Sequence, residues 1–223
     1  MARRKSSLKP RRTNADVKRA RNVWVALVGG MTCVGGLLLI ASGSTAARGG
    51  GASVPALTAT ETSRSLESIF RTNAAVNPGR WLSIVIHHSA QPSGNHASID
   101  AQHKAAGLAG LGHHFVIGNG QGNMESGELH VGYRWMEQQS GVHAAGKNGD
   151  WYNKNAISIC LVGDGNRGQF TEPQLQRLQQ LVSVLATQLK IPADKIVLHR
   201  EIATTNDPGK LFPEAWFRQQ TGR

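Results

Sequence analysis

Histidine pairs at positions 87–88 and 113–114, a lone His199, and Asp207 eight residues beyond it are the side chains of this 223-residue chain best suited to chemistry. An imidazole exchanges protons near neutral pH and ligates transition metals through a neutral ring nitrogen. A carboxylate adds a hard, charged donor. His87 and His199, joined by Asp207, make two imidazoles and one carboxylate. Three such ligands with a fourth position open are what a catalytic zinc uses. On spacing alone, a reading of the same residues as ordinary surface side chains competes with this one. His96, His103 and His130 sit among polar neighbours and read as surface residues.

The reactive residues occur where strands end. Leu82–His87 is an apolar, β-branched run that closes on the first histidine pair, and His114–Ile117 is a second such run. Ala156–Val162 is a third, and Lys195–Leu198 runs directly into His199. Strand ends project side chains into the space where α/β proteins place ligands. Ser98–Ala106 is helix-compatible, with Gly107 as its stop. Thr171 and Gln174 have the spacing of a capping box. Leu175, Leu178, Val182, Leu185 and Leu189 then follow at helical spacing, so this stripe is core. Strands alternating with helices predict an α/β domain, a central sheet flanked by helices.

Formal net charge is +11, but nine Lys and Arg against Asp16 place +8 of it in residues 1–22 and +3 on the remaining 201. A basic nucleic-acid-binding domain is therefore not supported. Residues 23–41 carry no charge, and nineteen helical residues span roughly 28 Å, the thickness of a bilayer core. The preceding basic block orients such a segment with its tail in the cytoplasm. The expected order is a basic tail (1–22), a transmembrane signal-anchor or signal peptide (23–41), a flexible linker (42–65) and a working domain (66–223). That domain is exported and anchored, with its chemistry on the extracytoplasmic side. Cys33 and Cys160 fall in two unrelated apolar runs and are not expected to pair.

Six segments in order sharpen the reading: IVIHHSA (84–90), GLGHHFVIGNG (110–120), VHAAG (142–146), AISICLVGD (156–164), FTEPQLQRL (170–178) and HREIATTNDPGKLFP (199–213). Together they resemble the zinc-dependent N-acetylmuramoyl-L-alanine amidases of the type 2 class, which share a fold with peptidoglycan recognition proteins. The resemblance implies Zn2+ held by His87, His199 and Asp207, and peptidoglycan or its muropeptides as substrate. It implies hydrolysis of the amide joining N-acetylmuramic acid to L-alanine; a non-catalytic peptidoglycan-binding module is the alternative. His113 stands where family members place a tyrosine, and Thr205 where they place a lysine, threonine or similar group two residues before the last ligand. His113 is thus assigned to proton transfer and Thr205 to orienting water or the oxyanion. His88, His143 and Trp151 are assigned to the substrate cleft. Cys160 is read as a buried, inert thiol.

Overall fold

The structure is a computed structural model that describes residues 66–222. Its centre is a five-stranded sheet in the order β3-β2-β4-β1-β5, where β1 is Ser83–His88, β2 Phe115–Ile117, β3 Leu129–Val131, β4 Ala156–Leu161 and β5 Ile196–Leu198. Strands β2, β4, β1 and β5 run parallel, and β3 joins the β2 edge antiparallel. Strands β4 and β1 at the middle of the sheet read as nearly continuous apolar runs because helices or loops cover both of their faces. All six residues of β4 and the first five of β1 are buried.

Register does the first work of assembling a site. Ile86 pairs with Leu198, so the residues that follow them, His87 and His199, leave adjacent parallel strands at the same level. His87 also lies opposite Cys160 of β4. On the other side of β4, Phe115 pairs with Ile159, which brings the preceding His113 and His114 alongside the middle of that strand.

Among the described residues, five α-helices accompany the sheet: α1 (His96–Ala105), α2 (Tyr133–Met136), α3 (Gly149–Asn155), α4 (Glu172–Leu189) and α5 (Glu214–Thr221). The expected capping box opens α4. The Thr171 hydroxyl accepts from the Gln174 N–H, and the Gln174 side chain accepts from the Thr171 N–H. Gln174 also donates to the carbonyls of Val162 and Ile117, tying the helix start to the ends of β4 and β2. Leu178, Leu181 and Leu185 of α4 are fully buried and share one core with Trp81, Trp135 and Phe217.

The expected fold class needs one correction. It set a membrane-spanning helix before the α/β domain, but no helix among the described residues is long and apolar enough to cross a membrane. The α/β sheet flanked by helices therefore stands without that addition. Residues 23–41, the basic tail before them and the linker to residue 65 lie outside the described residues.

Candidate active site

Asp207 is the hub. Its Oδ2 lies 2.9 Å from His87 Nδ1 and 2.7 Å from His199 Nδ1, and its Oδ1 accepts the His88 backbone N–H at 2.7 Å. One ligand atom from each of His87, His199 and Asp207 lies within 4.8 Å of the other two. Burial pushes the Asp207 carboxyl up, but the imidazoles of His87 and His199 outweigh it and hold the group below the usual carboxylate range. Burial also lowers the His87 pKa, against the pull of Asp207.

The loop that delivers Asp207 is short and tied down. After His199, the Arg200 N–H donates to the Asp207 carbonyl at 2.8 Å and the Arg200 guanidinium to the Gly209 carbonyl at 2.9 Å. Arg200 is further paired with Glu214 at the start of α5. The Gly165 N–H donates to His88 Nδ1 at 3.0 Å, so the loop after β4 grips the residue that follows His87. His88 is therefore held at its ring by the Gly165 backbone and at its N–H by the Asp207 carboxylate.

Besides His87 and His199, four histidines, His88, His103, His113 and His143, line the cleft of about 330 Å³ around the hub. His143 Nδ1 sits 3.1 Å from His87 Nε2. The His113 ring centroid lies 5.1 Å from that of His87, and its Nδ1 is 2.6 Å from the Ser158 hydroxyl. Burial lowers the pKa of both His113 and His143 well below the ordinary imidazole value, so both are neutral at pH 7. His103 of α1 completes the group: its Nδ1 accepts the Gly112 N–H at 2.9 Å and its ring lies 5.4 Å from His113.

His103 corrects the sequence reading. Its polar neighbours pointed to the surface, yet α1 lays it along the cleft. His96 and His130 stack on each other at 3.7 Å, away from the cleft. Thr205 does not line the cleft of the histidines. It lines an adjoining one of about 670 Å³ that shares Ala145 and His199 with it, and its hydroxyl accepts the Asp207 N–H at 3.2 Å. Trp151 lines neither cleft; it is exposed on α3 with its ring edge-on to Tyr152. Cys160 is fully buried, and burial raises its thiol pKa well above the ordinary value, which fits an inert thiol. Ser158 escaped sequence reasoning because it is one polar residue inside an apolar strand.

The profile of the N-acetylmuramoyl-L-alanine amidase family matches residues 77–210. The endolysin of Escherichia phage T7 is 31% identical over 145 residues, which cover 61% of this chain and 86% of the endolysin. The endolysin of Enterobacteria phage T3 is 30% identical over the same shares. Among solved structures, the endolysin amidase LysCS from Clostridium intestinale aligns with a TM-score of 0.55 at 26% identity, over 64% of this chain and 84% of its own. The matched span holds His87, His113, His199 and Asp207, and the chain belongs to the type 2 N-acetylmuramoyl-L-alanine amidase family.

Proposed function

We propose that this domain hydrolyses the amide between N-acetylmuramic acid and the L-alanine of peptidoglycan, using zinc held by His87, His199 and Asp207. The observation that carries the reading is the convergence of two imidazole Nδ1 atoms on one carboxylate oxygen at the edge of an open cleft. That donor set, two nitrogens and one oxygen with room beside them, fits zinc. The family match and the endolysin and amidase relatives support the substrate. Such a substrate places the work of the domain on the cell-wall side.

A zinc ion there would supply a Lewis acid for the amide carbonyl and bring the ionisation of water near neutral pH. The chain's own residues do the rest. With Nδ1 as the donor atom toward zinc, His87 would carry its proton on Nε2, where His143 Nδ1 would accept it. This outer hydrogen bond fixes the ligand's ring and tautomer. The His88 N–H on Asp207 Oδ1 leaves Oδ2 turned toward the imidazoles. His113 is the cleft group that meets the reacting amide and exchanges a hydrogen bond or proton with it. Thr205, in the adjoining cleft, orients water or the oxyanion with its hydroxyl proton.

The test is a zinc determination on the purified chain together with mass spectrometry of peptidoglycan digests. We expect one zinc per chain and release of stem peptides that begin with L-alanine. His199→Ala should lose both, and a chelator should stop release until zinc is returned. Full activity of His199→Ala without stoichiometric zinc overturns the assignment. Wall fragments retained by the zinc-loaded protein without cleavage would mark a recognition module instead.

A further inference from the structure

Strand β4 is buried throughout, and the hydroxyl of Ser158, itself without exposed surface, interrupts an otherwise apolar run. Its backbone is pinned from both directions by one residue. The His114 N–H donates to the Ser158 carbonyl at 3.1 Å, and the Ser158 N–H donates to His114 Nδ1 at 3.0 Å. These bonds fix the Ser158 backbone, and from it the hydroxyl lies 2.6 Å from His113 Nδ1.

Proton accounting decides which atom donates. A buried hydroxyl hydrogen without an acceptor costs the full desolvation of the group. Among the described residues, His113 Nδ1 is the hydrogen-bond partner of the Ser158 hydroxyl. With O–H donating and Nδ1 accepting, a neutral His113 carries its own proton on Nε2. The ring lines the cleft beside His87. A serine next to a histidine also invites a nucleophile reading. Here the hydroxyl is sealed inside the strand layer, so a substrate carbonyl has no approach to it.

We propose that Ser158 is a positioning residue that fixes His113 in the Nε2–H tautomer. His113 then meets the scissile amide as a hydrogen-bond donor to its carbonyl oxygen, not as an acceptor of the water proton. The inference rests on the reading that His113 faces the reacting amide, and it narrows that residue's role. A fixed donor aimed where negative charge develops stabilises the transition state with no reorganisation at the moment of reaction. A neutral imidazole can serve as such a donor. A phenol in this place would donate by itself, whereas an imidazole donates only if something selects the correct nitrogen.

The experiment uses the zinc-loaded full chain labelled with 15N-histidine, read by long-range 1H–15N correlation, alongside kcat and KM on a soluble muramoyl peptide. Wild type should show the Nε2–H pattern for His113. Ser158→Ala should mix the tautomers and lower kcat by about tenfold with KM nearly unchanged, as loss of one hydrogen bond acting in the transition state requires. Ser158→Thr, which keeps the hydroxyl, should restore both readouts. On a His113→Ala background, Ser158→Ala should cost nothing more. An Nδ1–H pattern in wild type overturns the proposal without recourse to any variant. So does an unchanged kcat and spectrum in Ser158→Ala. Wild-type turnover in His113→Ala alone would instead overturn the reading on which the proposal rests.

Discussion

At the scale of single residues, Asp207 carries more than its share. One oxygen faces both His87 and His199 while the other is occupied by the His88 N–H, so the carboxylate has no spare geometry. Asp207→Asn keeps the shape but presents one acceptor and one NH2 where two acceptors and a charge stood. Losing a partner of a metal ligand costs 10–100-fold in affinity, so losing the charged ligand itself should cost about 100-fold or more. Competition against a chromogenic zinc chelator reads this directly. An unchanged affinity would show that the carboxylate is not a ligand. Cys160 makes a useful contrast. It lies opposite His87 in register, yet burial keeps its thiol protonated, and Cys160→Ala should leave zinc affinity where it is.

At the scale of elements, the site depends on two loops that touch backbone to backbone. A Cβ added at Gly165 would collide with the Pro208 carbonyl, and one added at Gly209, whose φ is +102°, would collide with the Gly165 main chain. Gly165 also donates its N–H to His88. The loop after β4 is thus a template against which the Asp207 segment is cast. Gly165→Ala must displace Pro208, and with it the neighbouring Asp207 that contacts the imidazoles. Forcing extra volume into a packed contact costs about 1–3 kcal/mol. We expect a lower urea midpoint and zinc affinity reduced by about tenfold, the scale of an outer-shell defect. Gly168→Ala, three residues on, meets nothing within 4 Å and should change stability by no more than about 0.5 kcal/mol. If both variants behave alike, the two loops do not template each other.

At the scale of the whole molecule, the parts legible in the sequence are those with long buried runs. Strands β1 and β4 announced themselves through β-branched residues, and α4 through its capping box and leucine stripe. His87 and His199 were legible because both terminate such runs. Strand β3, three partly buried residues paired antiparallel at an edge, carries no comparable pattern. Nor does α5, in which Phe217 is the buried residue. His103 and Ser158 were missed because their roles are set by contacts with Gly112 and His113, which no spacing encodes. What the fold finally assembles is an unusual density of buried, neutral imidazoles, and this sets its response to acid. His114 illustrates the sign. Its Nε2 faces the Gln139 carbonyl and its Nδ1 accepts the Ser158 N–H. Burial, with help from Arg134 and Arg80 and against the Gln139 hydrogen bond, lowers its pKa to about 4. The unfolded chain takes up this proton near pH 6.5, before the folded one does, so the contribution is complete above pH 6.5 and lost progressively as pH falls toward 4. For His114 alone the loss is on the order of 3 kcal/mol over that window. His87, His113 and His143 act in the same direction. Urea unfolding of the zinc-free chain should therefore show stability falling steeply from pH 7 to 5. His114→Gln should lessen that slope by one proton's worth, and a flat wild-type profile would contradict the burial of these rings. Zinc at 1,000 times its Kd should add about 4 kcal/mol at pH 7. That increment should shrink in acid, because His87 and His199 must be deprotonated to bind a metal.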